Sequence, residues 1–307
     1  GFSRPQVFWN LLIDNASLII VTVGVTFTII TGGGGIDISV GAVVAISGAV
    51  CCSLIGGRGD GVAEYPMIVA MIAAVAAGVI CGMWNGFLVA KIKIQPMVVT
   101  LILMVAGRGI AQLLTEGQII TVYYAPFSYI GGNIPGNIIP SPIIIAILMI
   151  ALVVFILKKT SLGLFIQSVG INPTASRYAG INVALIIFLV YAFSGFCAGV
   201  SGLIESSLIR AADANNAGLN MEMDAILAVA LGGTLLSGGK FYIGGSIIGA
   251  ITIQTLTTTM YAMGVASDQL PVVKAIVVII LCLIQSKHFR EIFNKSKKNT
   301  VKAVDKA

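Results

Sequence analysis

The chain has 307 residues, 57% hydrophobic and 10% charged, with a mean hydropathy of +1.02 and a formal net charge of +6. Soluble domains carry about 25% charged residues, so this composition excludes an ordinary soluble enzyme and describes a polytopic membrane protein. Seven of the 18 Lys and Arg residues follow Ser286, which suits a solvated tail beside lipid headgroups rather than a nucleic-acid-binding arm.

Nine hydrophobic segments are predicted to be helical spans: residues 11–30, 36–56, 65–90, 96–115, 141–157, 184–205, 223–237, 241–260 and 270–286. Most approach or exceed the ~20 residues that carry a helix across a bilayer. The expected fold class is therefore all-α, with one transmembrane domain over 1–286 and a basic tail over 287–307. The sequence TGGGGIDISVG joins the first two segments. Its glycines allow sharp turns, and its Asp37 is an ionisable group near membrane depth. Asp37 has two readings, a functional intramembrane carboxylate or a structural residue that caps the next helix or meets a nearby cation.

The third and fourth segments place Asn85, Thr100, Arg108 and Gln112 among apolar neighbours. With Gln254, Thr255 and Thr258 of the eighth segment, these are the expected lining of a pathway for a neutral hydroxylated solute. Each alone also reads as an interhelical hydrogen bond. The loop that holds Arg58, Asp60 and Glu64, the Pro/Gly/Asn-rich stretch from Glu116 to Pro140, Asp213 and Asp268 fall on the side opposite Lys91, Lys93, Lys158, Lys159, Arg177 and Lys240. The positive-inside rule makes the lysine-bearing side cytoplasmic, together with the C-terminus. Glu222 and Asp224 begin the seventh segment, as gating groups or as acids at a helix N-terminus. That segment is short, which suits a tilted, re-entrant or broken helix.

Between the fifth and sixth segments lies a polar insert, Lys158 to Val183, centred on GINPTASRYAGIN. Its chemistry predicts one short capped helix. Asn172 is the N-cap, Pro173 takes the first helical position where no N–H is needed, and Gly180 takes the left-handed C′ conformation. Such a helix does not persist alone in water, so an exposed one between two spans is expected to serve a partner.

The five cysteines, Cys51, Cys52, Cys81, Cys197 and Cys282, all sit in apolar segments without metal-ligand spacing, and read as small core residues. The sequence holds no phosphate-binding Gly-x4-Gly-Lys-Ser/Thr loop, no His-Glu-x-x-His pair and no Gly-x-Ser-x-Gly elbow, and its one histidine, His288, is in the tail. Uphill transport driven by ATP would need an ATPase on another chain. An ion-coupled transporter is the alternative from a different class; it would need acids facing a pathway, and only Asp37, Glu205 and Asp224 lie near membrane depth.

Four stretches in order, GGIDISVG, WNGFLVAKIKIQPMVVTL, VGINPTASRYAGIN and EMDAILAVALGGTLLSGGK, resemble signatures of the permease subunits of bacterial monosaccharide ABC importers, the ribose-type group. KIQPMVVTLILMVAGRGIAQLL, ADANNAGLNMEMDAILAV and VVKAIVVIILCLIQS are most similar to the galactofuranose-type permeases within it. The resemblance implies a permease of about ten spans in the inner membrane, with one further helix ahead of Phe2. It also implies a second permease subunit, identical or different, and two cytoplasmic ATP-binding domains, expected on one fused chain, which would bind the ATP and Mg. A periplasmic or lipid-anchored protein would deliver the sugar, galactofuranose or another pentose or hexose such as ribose or xylose. No cofactor is implied on this chain, and no nucleic acid. In such permeases the insert carries the coupling helix, which maps here onto Gly170, Asn172, Pro173, Thr174, Ala175, Ser176, Arg177, Tyr178 and Gly180. Family members usually have Ala-Ala where this chain has Ala175-Ser176, and a more polar residue near Thr174.

Overall fold

The computed structural model describes residues 5–56, 63–134, 139–266 and 269–285. Arg58, Asp60, Asp268, His288 and the tail over 287–307 lie outside the described residues, as does the side chain of Cys282. The chain divides into two compact units, Gly1–Gln254 and Thr255–Ala307.

The first unit is built on α1 (Pro5–Ile30), α2 (Val40–Ile55) and α3 (Met67–Phe87). A π-helical turn, Leu88–Ile92, continues α3 and ends on Lys93 in the left-handed conformation. After α4 (Pro96–Leu114), a two-residue strand β1 (Ile120–Thr121), a 3-10 turn (Ala125–Phe127) and the short α5 (Ser128–Gly131) form a compact connection. Then come α6 (Ser141–Lys159), α7 (Ser161–Ile171), α8 (Pro173–Tyr178) and α9 (Val183–Ile209). Strand β2 (Ala211–Ala212) pairs antiparallel with β1, tying the loop after α9 to the loop after α4. Helix α10 (Met221–Leu231) and the first half of α11 (Ile243–Ala262) complete the unit. The second unit holds the rest of α11 and α12 (Leu270–Gln285).

Each of the nine predicted segments contains a helix, although residues 36–39 and 232–237 lie outside α2 and α10, and the insert needs a correction. It contains two helices, α7 and α8, where one was expected. Thr160 adopts an extended conformation that ends α6, and Gly163 then packs so tightly on Leu157 that a Cβ there would meet the Leu157 backbone at 2.7 Å. The chain thus turns at once into α7 instead of continuing as loop.

Burial sorts the helices by role. In the most apolar 18-residue stretch of α1 89% of residues are buried, against 22% in that of α3 and 28% in those of α4 and α6. The outer faces of these last three carry exposed Ile68, Ile72, Ile102, Val105, Ile147 and Phe155. Water would not tolerate so much contiguous apolar surface, whereas lipid does. The core forms where α9 meets α1, α2 and α3, with Val23, Phe27, Val153, Ile186 and Val190 at one end and Cys51, Ala74, Val122, Phe127 and Leu203 at the other.

Helix α9 approaches α3 closely enough to require glycine on both. A Cβ on Gly78 would lie 2.5 Å from the Gly195 carbonyl oxygen, one on Gly195 would lie 2.8 Å from the Gly82 Cα, and one on Gly86 would meet the Phe188 backbone at 2.9 Å. Gly78, Gly82 and Gly86 are spaced by four and so share one face of α3; Gly195 and Gly199 do the same on α9. This is the small-residue packing by which membrane helices gain dispersion contact without hydrophobic drive between them.

Two elements do not cross as plain helices. At 1.5 Å per residue the 16-residue α2 is about 24 Å long, short of the ~30 Å hydrocarbon core. The irregular stretch Gly35–Ser39 precedes it, with Gly35, Asp37 and Ser39 buried. Irregular backbone persists at such depth only when protein satisfies it. Here Ile36 N–H donates to the Gly34 carbonyl at 2.7 Å, and Thr100 Oγ1 donates to the Ile36 carbonyl at 3.3 Å. The 11-residue α10 is a half-length helix, about 16 Å, as the short seventh segment led one to expect.

Candidate functional site

Three arrangements stand out. The first is α8. Asn172 Oδ1 accepts the Ala175 N–H at 3.0 Å, the N-cap bond. At the other end Ile181 N–H donates to the Ser176 carbonyl at 3.0 Å and Gly180 N–H to the Arg177 carbonyl at 3.1 Å, with Gly180 at φ +85°. These paired bonds form a Schellman stop. Six residues hold a helix because both ends are tied. Ser176 turns inward, whereas Pro173, Thr174, Ala175 and Arg177 are exposed and Tyr178 is 89% exposed. The exposed face of this doubly tied turn therefore carries a cation, Arg177, beside an aromatic, Tyr178. Replacing Asn172 with Ala should cost about 1 kcal/mol, read as faster amide hydrogen exchange over 173–180 with exchange in α9 unchanged.

The second is a polar knot about Asp37. Asp37 Oδ1 accepts from Ser39 Oγ at 2.6 Å and from Ser39 N–H at 3.1 Å, while Oδ2 accepts from Ser194 Oγ at 2.7 Å. Asn85 Nδ2 donates to Ser39 Oγ at 2.9 Å. Asp37, Asn85, Thr100 and Ser194 are all buried. The carboxylate therefore fastens the irregular segment before α2 to α9, and Ser39 passes the connection to α3. Asp37 does not cap α2, whose N-cap residue is Ser39 and whose first turn receives no side-chain cap bond; it accepts the Ser39 N–H just ahead of the helix instead. Ser194 carries no sequence signal of this role.

The third arrangement holds the loop between α9 and α10. Arg108 Nη1 donates to the Ala214 carbonyl at 3.2 Å and the Ala217 carbonyl at 2.5 Å. Gln112 Nε2 donates to Asn215 Oδ1 at 2.6 Å, and Glu205 Oε2 accepts the Gly218 N–H at 3.0 Å. Arg108 is attracted electrostatically by Glu222, Glu205 and Asp213. The Asn216 side-chain amide, aided by the backbone N–H groups of Asn216 and Asn215, holds the Asp213 carboxyl below the usual aspartate range. Glu222 is buried at the start of α10, pressed against Gly41 of α2, and among the described residues its Oε2 has no hydrogen-bond partner.

The residues expected to line a pathway thus fall into separate places. Asn85 and Thr100 belong to the Asp37 knot, and Arg108 and Gln112 to the loop clamp. Gln254, Thr255 and Thr258 are half-buried on α11. Asp224 is half-buried one turn into α10. Among the described residues no cluster of His, Cys, Asp and Glu could hold a metal ion.

Comparison with known proteins gives these arrangements a context. Residues 7–284 match the family model described as branched-chain amino acid transport system / permease component. The galactofuranose transporter permease protein of Escherichia coli is 45% identical over 91% of this chain and 80% of its own length. The fructose import permease protein of Bifidobacterium longum is 37% identical over 100% of this chain and 85% of its own length. The ribose import permease protein of Escherichia coli is 35% identical over 94% of this chain and 88% of its own length. No solved structure matches the chain.

Proposed function

The chain belongs to the branched-chain amino acid transport system / permease component family, and from that premise we propose that it is the membrane-spanning permease subunit of an ATP-binding-cassette importer for a simple sugar. The sugar is galactofuranose or a related monosaccharide; ribose, xylose or another pentose or hexose is the alternative within the same family. Its relatives named for galactofuranose, fructose and ribose support this reading. The chain is a transport component and performs no hydrolysis itself. ATP and Mg belong to two partner ATP-binding domains, expected on one fused chain, and a periplasmic or lipid-anchored protein delivers the sugar to a pair of permease subunits.

The observation that carries the coupling role is α8, capped at both ends, with Arg177 and Tyr178 exposed on it. In this reading residues 158–183 face the cytoplasm, as does the C-terminus, and α8 sits in a groove of the ATPase. Closure of the ATPases on ATP moves α8 and switches the permease from outward- to inward-facing. Asn85, Thr100, Arg108, Gln112, Gln254, Thr255 and Thr258 remain the proposed polar residues along the route of the sugar, and Asp37, Glu222 and Asp224 the groups that set its gates.

The test is the double substitution Arg177→Ala with Tyr178→Ala, reconstituted with the cognate ATPase and binding protein. Sugar uptake per ATP hydrolysed should fall severalfold while the amount of folded permease stays the same. Unchanged coupling in those vesicles would overturn the docking role of α8.

A further inference from the structure

Three segments distant in sequence meet at one point beside the insert. A Cβ on Gly170, near the end of α7, would run into the Ile30 carbonyl oxygen at the end of α1, and would lie 2.9 Å from the Gly239 nitrogen in the turn between α10 and α11. A Cβ on Gly32 would lie 2.9 Å from the Gly170 carbonyl oxygen and 3.2 Å from that of Ser237. Gly239 N–H donates to the Ile30 carbonyl at 3.0 Å. The turn is shaped for this contact, with Gly238 at φ +91° and Gly239 at φ +84°, values only glycine adopts without strain.

The contact is backbone on backbone. Side chains between packed helices absorb small displacements by changing rotamer, but three main chains in close contact, two of them joined by a hydrogen bond, move together or separate. Helix α7 runs directly into α8 through Asn172, whose N–H donates to the Ser168 carbonyl at 3.0 Å. Displacing α8 therefore loads α7, and α7 bears on the end of α1 and on the turn that follows the half-length α10. Helix α10 in turn packs along α1 and carries Glu222 at its far end.

We propose that Gly32, Gly170 and Gly239 are positioning residues for transport, forming a joint through which movement of α8 reaches the α10–α11 turn. This rests on the coupling role assigned to α8 above. The joint gives α10, a half-helix, a direct mechanical input from the insert, in addition to whatever reaches α6 and α9 through the chain.

The experiment uses the full complex with the ATPase and reads two environment-sensitive labels, one on Leu164→Cys in α7 and one on Tyr242→Cys beyond the turn, positions 64% and 60% exposed. Adding ATP with vanadate to the parent should shift both labels. In Gly170→Ala the α7 label should still shift and the turn label should lose its response. Gly244→Ala, where a Cβ meets nothing within 4 Å, should leave both responses intact. If Gly170→Ala does not assemble, Gly239→Ala presses on Ile171 from the other side of the joint and should give the same selective loss. An unchanged response of the turn label in an assembled Gly170→Ala or Gly239→Ala complex overturns the joint. Failure of both labels to respond in the parent would overturn the coupling role of α8 itself, and with it the joint.

Discussion

Gly195→Val should abolish most of the folded permease. The valine would drive its Cβ into the Gly78 carbonyl oxygen and to within 2.8 Å of the Gly82 Cα and nitrogen. Rotamer changes bring no relief, because the obstructing atoms are main chain. Overpacking a core typically costs about 1–3 kcal/mol, and a backbone obstruction belongs at or above the top of that range, against a total stability of about 5–15 kcal/mol. The cost also spreads, because α9 packs on α1 and α2 as well as on α3. Separating α3 from α9 loosens Ser47, whose hydroxyl donates to the Ala74 carbonyl of α3 at 2.9 Å and the Gly199 carbonyl of α9 at 2.8 Å. Gly109→Val on α4 is the matched control, since a Cβ there meets nothing within 4 Å. Size-exclusion profiles of detergent extracts should show Gly109→Val near parental yield and Gly195→Val largely aggregated. Equal yields would mean that the α3–α9 approach is not what holds these helices together.

What the sequence discloses depends on how far apart the interacting residues are. The caps of α8 were legible because Asn172 bonds Ala175 and Gly180 bonds Arg177, all within one turn. The nine apolar segments were legible because apolar length is a property of each stretch by itself. Helix α7 was not, since SLGLFIQSVGI is too short for a span and follows Lys158-Lys159, so it read as part of a polar insert. Only its packing through Gly163 and Gly170 shows why it is helical there. The spacing of Gly78, Gly82 and Gly86 announces a packing face, but nothing in α3 says that α9 is the partner. Arg108 among apolar neighbours invited a pathway role; its bonded carbonyls lie 106 and 109 residues away, beyond the reach of local pattern. Ser194 meets Asp37 across 157 residues and is, in sequence, one serine among many.

The Asp37 knot gives the second large expected effect. Asp37→Ala strips the acceptor from three donors at once, the Ser39 hydroxyl, the Ser39 N–H and the Ser194 hydroxyl. A buried donor left without a partner costs about 1–3 kcal/mol, and water does not readily replace the carboxylate where Asp37, Ser39 and Ser194 are each at most 2% exposed. Even after the hydroxyls rotate toward other acceptors, a loss of about 3–5 kcal/mol follows from these donors and the cavity together. Asp37→Asn keeps one carbonyl acceptor in the same place, so it should lose roughly half as much. Thermal unfolding of the purified permease in detergent measures both, and the order parent, Asn variant, Ala variant is the expected result. If Asp37→Ala unfolds with the parent while transport is lost, Asp37 acts in the transport cycle and the irregular segment before α2 is held by its other hydrogen bonds, such as that from Thr100 to the Ile36 carbonyl. If both variants lose stability in the stated order, the carboxylate is the fastening that lets a 16-residue helix and an irregular segment together do the work of a span.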